Sequence, residues 1–252
     1  MLLSVGVALG ALTLRAGAPR LRRAFTGEAV GAAIVQAVVE GTRWQLAPAY
    51  LVMIALVVLA LGARAEPDGA ARRRLGVVRV AAATLAILVA TALPALVPVP
   101  RFPAPAGPYP VGTVTFVLED RAREDAWEPG RPRRLLAQVW YPAEPGAARA
   151  QRAPYLPEWR QSGPEIARAF GLPSFFLNHL EHASSHSHEG AGFAPSVGRA
   201  PLLIMSHGFR LTRSFSTTTA EALASRGYVV VGIDHTGDAA AVAFPGGGTV
   251  VS

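Results

Sequence analysis

The sequence predicts an α/β fold preceded by an α-helical multi-span membrane region. Three observations carry this prediction. Two uncharged runs of bilayer length lie within the first hundred residues. An apolar run, a helical segment and a β-branched run follow one another between 201 and 234. The first of these runs breaks off in Ser206-His207-Gly208. The implied organisation is 1–100, three or four membrane helices; 101–110, a Pro-rich connector; and 111–252, the α/β part.

Composition agrees with a membrane portion: 51% of the 252 residues are hydrophobic, and mean hydropathy is +0.31, high for an ordinary soluble domain. All 24 basic residues are Arg, and the net charge is +7. Much of that charge flanks apolar segments, where it reads as a topology signal rather than a nucleic-acid surface. Cysteine is absent, which excludes disulfides, thiolate metal sites and Cys nucleophiles.

The runs at 44–63, "WQLAPAYLVMIALVVLALGA", and 80–100 are uncharged, and each approaches the roughly 20 residues that a helix needs to cross a bilayer core. Weaker candidates are 1–14 and 24–39, the latter with Glu28 near a headgroup layer. Arg15, Arg20, Arg22 and Arg23 form one basic cluster, and Arg64, Arg72, Arg73 and Arg74 another. Placing both clusters on the cytoplasmic side requires four crossings. The chain is then expected in the cell membrane as a multi-pass protein, with its C-terminal part extracytoplasmic. Residues 94–112 carry seven prolines and read as a stiff, extended exit from the membrane.

From 111 the pattern changes. "VGTVTFVLED" reads as a strand, "EPGRPRR" as a turn and "LLAQVWYPAEPG" as the antiparallel return. Residues 158–182 hold apolar positions at helical spacing, interrupted by Pro173, and read as short helices. "APLLIM" reads as a buried parallel strand. "SFSTTTAEALASRG" is a helix with an early Ser/Thr cluster and a stop at Gly227, and "YVVVGID" is a second strand. Together these form a βαβ unit with parallel neighbours.

Functional loops of open α/β sheets lie at the carboxyl ends of their strands, here Ser206-His207-Gly208-Phe209 and Asp234-His235. A strand ending in Ser-His-Gly can build an oxyanion hole, with Gly208 letting the chain turn and the Phe209 N–H aimed at the site; an ordinary strand-to-loop turn reads the same way. A nucleophile needs small residues two positions either side of its serine. Ser196 lacks a strand before it, and Ser206 has Ile204 two residues before it, so Ser206 is read as bracing the loop. His235 precedes the position a catalytic base takes in the order Ser, acid, His. The run "HLEHASSHSHEG" offers His179, His182, His186, His188 and Glu189 for a metal. Its spacing matches no standard ligand set, so it is read as a solvated His-rich loop, with no metal and no cofactor expected.

The stretches "GPYPVGTVTFVLED", "RRLLAQVWYPAE", "APYLP", "PLLIMSHGF" and "LASRGYVVVGIDH", in this order, resemble the platelet-activating factor acetylhydrolase (plasma, type II) family of α/β hydrolases, in its bacterial membrane-anchored form. The resemblance implies the N-terminal part of an α/β-hydrolase fold and a serine esterase acting on short or oxidised acyl chains of phospholipids, without metal or cofactor. It implies a lipid or small ester substrate, a membrane partner and no nucleic acid. It assigns one catalytic position here, the Phe209 backbone N–H as oxyanion-hole donor, with Ser206, His207 and Gly208 supporting the loop. The family's nucleophile, acid and base fall after Ser252. The chain is therefore expected to be an incomplete, inactive hydrolase, with a non-catalytic multi-span membrane protein as the alternative.

Overall fold

A computed structural model describes residues 19–39, 41, 43–62, 81, 82, 84, 85, 88 and 91–252. The chain divides into two compact units, Met1–Pro98 and Val99–Ser252.

In the first unit, helix α1 (Pro19–Val39) is followed by a 3-10 turn, Trp44–Leu46, and helix α2 (Ala47–Gly62). Thr26, Ala29, Ala33 and Gln36 recur at helical spacing and are buried, as are Ala49 and Met53 on α2. Each helix thus hides one stripe. The Tyr50 hydroxyl donates to Gln36 Oε1 at 2.5 Å and ties the two helices together.

Among the described residues no helix is long and apolar enough to cross a membrane, so the multi-span region expected of 1–100 finds no support there. The expected span 44–63 begins with its 3-10 turn and leaves a 16-residue α-helix. At 1.5 Å per residue that is about 24 Å, short of a hydrocarbon core of about 30 Å. The expected span 24–39 is the later part of α1, whose sequence also takes in Arg20, Arg22, Arg23 and an exposed Glu28. The candidate at 1–14, the Arg64–Arg74 cluster and part of 80–100 lie outside the described residues.

In the second unit, β1 (Val111–Glu124) and β2 (Pro132–Pro142) form the expected antiparallel pair, in register from Val111↔Pro142 to Asp120↔Arg133. The connection is 125–131, three residues earlier than "EPGRPRR", because Pro132 already opens β2, where a strand tolerates a residue without an N–H. Next come β3 (Arg152–Pro154), α3 (Trp159–Ala169), a 3-10 turn (Asn178–His182) and β4 (Ser184–Glu189). Then follow β5 (Leu202–Ser206), α4 (Thr217–Ala224) and β6 (Val229–Asp234). A six-stranded sheet runs in the order β3-β4-β1-β2-β6-β5. The βαβ unit is as expected, with β5 and β6 parallel in register Leu202↔Val229 to Ser206↔Ile233. A two-stranded ribbon, β7 (Ala241–Ala243) with β8 (Thr249–Val251), closes the chain.

Two expectations are corrected. The His-rich segment is not a solvated loop, since residues 184–189 form β4, parallel to β1 and antiparallel to β3. Ser185, Ser187 and His188 are buried, and hydrogen bonds take the place of apolar packing. Ser187 Oγ and the His186 N–H both donate to Glu221 Oε1, at 2.6 and 2.7 Å. His188 Nδ1 bonds the Ala150 carbonyl at 2.9 Å.

Secondly, β5 is parallel but not buried. It is the sheet's edge, with Leu202 60% and Ile204 69% exposed. A continuous apolar run signals a strand covered on both faces; here α4 covers only one. That covered face holds the core of Val111, Trp140, Ala220, Ala224 and Val230. Its packing places the ends of β5 and β6 side by side.

Candidate functional site

Ser206 closes β5 and Asp234 closes β6, so the segments after them emerge together at one edge of the sheet. The structure joins these segments through side chains. Ser206 Oγ lies 2.6 Å from His235 Nε2. The His235 backbone N–H donates to His207 Nε2 at 3.0 Å. His207 Nδ1 faces the Gly208 carbonyl at 2.8 Å. A carbonyl only accepts, so His207 carries its proton on Nδ1 and offers Nε2 as an acceptor. One neutral tautomer satisfies both contacts.

The turn after β6 takes hold of the same loop again. The Arg210 N–H donates to the Asp238 carbonyl at 2.9 Å, and the Asp238 N–H to the His235 carbonyl at 3.1 Å. Between these ties, the amides of Gly208 and Phe209 donate to no group among the described residues. Phe209 is 78% exposed. With Ser206, His207, His235 and Asp238 it lines an open concavity of about 320 Å³.

The turn expected at Gly208 is made at Arg210 instead, whose φ of 57° is the one left-handed non-glycine value among the described residues. A Cβ on Gly208 would meet only Leu211 Cδ1, at 3.5 Å, which is ordinary contact. For a residue with a Cβ the left-handed region is uncommon and strained, and such strain gathers at functional loops. Here the Asp238 bond and an Arg210 guanidinium bond to the Ala169 carbonyl at 3.2 Å hold it.

Beneath the loops lies a buried ionic cluster. The Arg213 N–H donates to Asp234 Oδ1 at 2.5 Å and its guanidinium to Asp234 Oδ2. Nη2 reaches Glu158 at 2.8 Å, and Nε reaches Gln138 at 3.2 Å. Burial opposes the guanidinium charge, but Asp234 and Glu158 outweigh it and raise the pKa above its ordinary value. Gly232 makes room for this crossing, since a Cβ there would stand 2.9 Å from Trp140 and 3.3 Å from Arg213 Cβ.

The structure therefore brings Ser206, His207, Gly208 and Phe209 together with His235, a residue sequence reasoning set aside as a base. Ser196 sits apart on a 3-10 turn, Pro195–Val197. Among the described residues no group of three or more His, Cys, Asp or Glu gathers as a metal would require. Sequence reasoning missed Asp238, Arg213 and Glu158. Of these, Asp238 had a signal, four residues past the end of a strand already singled out.

Residues 96–245 match the family model described as platelet-activating factor acetylhydrolase, isoform II. A Schizosaccharomyces pombe protein named "Putative phospholipase A2" is 27% identical over 150 residues, covering 56% of this chain and 34% of its own length. A ferulic acid esterase structure from Streptomyces cinnamoneus is similar at 39% identity and a TM-score of 0.47, over 59% of this chain and 39% of that one. The chain thus spans about a third of the length of the curated relative it matches.

Proposed function

We propose, from the premise that the chain belongs to the platelet-activating factor acetylhydrolase isoform II family, that it is a carboxylic ester hydrolase acting on lipid esters with short acyl chains. One observation carries the reading. The Phe209 amide, just past the end of a parallel strand, donates to no group among the described residues, and Phe209 lines an open concavity. When a nucleophile adds to an ester carbonyl, the oxygen takes up negative charge. An N–H fixed at that point stabilises the transition state more than the ground state.

In this reading Ser206 braces the loop through His235, His207 fixes the residues before Phe209, and Gly208 adds a second amide beside it. No serine of the 252 residues has glycine two positions away on both sides, so the reading rests on the loop and takes no Gly-x-Ser-x-Gly elbow from these residues. Attachment to a lipid bilayer with 111–252 extracytoplasmic belongs to the same proposal, resting on the sequence alone, in which the Arg64–Arg74 cluster precedes the uncharged run at 80–100. Alkaline extraction of native membranes tests it, since release of the protein into the supernatant would contradict integral attachment.

The test of function compares Phe209→Ala, which keeps the amide, with Phe209→Pro, which deletes it. On a short-acyl p-nitrophenyl ester, the Pro variant should lose about 10²–10³ in kcat, as when one oxyanion donor is removed. The Ala variant should stay within a few fold. Equal losses in both, or no ester turnover by the native protein, would sink the reading.

A further inference from the structure

His235 meets the 206–210 loop through both its ring and its backbone. Its ring meets Ser206 Oγ at 2.6 Å and its backbone N–H meets His207 Nε2 at 3.0 Å. Three residues on, the Asp238 carbonyl receives the Arg210 N–H at 2.9 Å. Residues 235–238 therefore grip the 206–210 loop at Ser206, His207 and Arg210. The two residues left between these grips, Gly208 and Phe209, are those whose amides have no partner among the described residues. A loop held only by its own strand would leave those amides free to turn toward water.

We propose that His235 is the positioning residue of this loop, and that the 235–238 turn is a clamp setting the direction of the Gly208 and Phe209 N–H groups. This rests on the oxyanion-hole reading given above and adds a residue and a means to it. His235 does not touch the reacting atoms in this scheme; it acts through Ser206 and His207. The ring contact is also selective for the side chain. Replacing His235 leaves its backbone N–H in place, so a variant loosens the Ser206 grip and spares the His207 one.

The experiment uses the full chain and three variants. His235→Ala removes the ring contact, His235→Gln returns a polar group near the position of Nε2, and Ser206→Ala breaks the same contact from the other side. The direct readout is amide hydrogen exchange by mass spectrometry. Exchange across 206–212 should speed up at least about tenfold in His235→Ala and Ser206→Ala, while α4 exchanges as before; His235→Gln should recover most of the protection.

On a short-acyl ester the same two variants should lose about 10- to 100-fold in kcat with KM unchanged, the size expected for a displaced catalytic group. The Gln variant should restore it. Unchanged exchange at 206–212 in both loosened variants would overturn the clamp, whatever the turnover. So would a rise in KM at constant kcat, which marks a substrate contact. If exchange behaves as expected and the native chain hydrolyses no ester, the clamp stands and the hydrolase reading falls.

Discussion

Arg213 holds Asp234 at two points, with its backbone N–H on Oδ1 and its guanidinium on Oδ2. The two side chains are 3% and 1% exposed. This relationship locks Arg213, the first residue of a 3-10 turn (Arg213–Ser216) after the Ser-His-Gly loop, to the last residue of β6. Removing one member of such a pair strands a buried charge, which costs about 3–5 kcal/mol. Asp234→Ala should therefore lower stability by that order in urea unfolding. Arg213→Met should cost at least as much, because it leaves both Asp234 and Glu158 without their cation. A loss below about 1 kcal/mol in both would mean that the pair is solvated in solution.

Gly237 and Gly208 stand in neighbouring turns and should respond in opposite ways to alanine. Gly237 has φ +93°, and a Cβ there would fall 1.8 Å from Trp127 Nε1. Gly237→Ala combines backbone strain with a steric overlap and should cost more than about 2 kcal/mol. Gly208→Ala meets only Leu211 at ordinary distance and should change stability by less than about 0.5 kcal/mol. Thermal unfolding of the two variants side by side measures the contrast. Equal effects would mean that the loops rearrange to absorb the side chain.

The legible parts of the fold are those whose burial is apolar and local. The β5–α4–β6 unit could be read because Leu202–Met205, the Ser/Thr start of α4, Gly227 and the run from Val229 each mark themselves within a few residues. Strand β4 could not, because "SSHSHE" has no apolar residue. Its burial is made by Glu221, 34 positions later. The β7–β8 ribbon did carry a signal, "AVAF" and "TVV" around three consecutive glycines, and it went unread. The site was half legible. Both strand ends were recognised, but the contact of Ser206 with His235 depends on β5 and β6 pairing Ser206 with Ile233. Arg213 and Glu158 are polar residues that nothing local marks as buried. The edge position of β5 was hidden for the same reason, since an apolar run states what a strand prefers and not what covers it.

Tyr155 makes stability fall in alkali. Burial pushes its hydroxyl from an ordinary 10.0 up to about 12, beside the Phe102 ring with centroids 4.3 Å apart. The folded protein resists ionising it, whereas the unfolded chain ionises it at the ordinary value. The contribution is therefore complete below pH 10 and is lost as pH rises toward 12, worth about 3 kcal/mol at most. Tyr155→Phe should flatten that decline. Unfolding free energies measured across this window would show the same slope in both proteins if the hydroxyl is solvated.

Strand β5 predicts how the 252-residue chain behaves at high concentration. Natural sheet edges are guarded by charge, proline or bulges, because their unpaired N–H and C=O groups recruit other strands. β5 has none of these within Leu202–Ser206, and its outward face presents Leu202 and Ile204, 60% and 69% exposed. The chain should therefore self-associate with rising concentration, as seen by sedimentation velocity. Ile204→Lys places a charge on that face without emptying any core, so association should fall while stability shifts by less than about 0.5 kcal/mol. If the lysine instead costs several kcal/mol, something covers Ile204 in solution. If association persists unchanged, contact is made elsewhere than at β5.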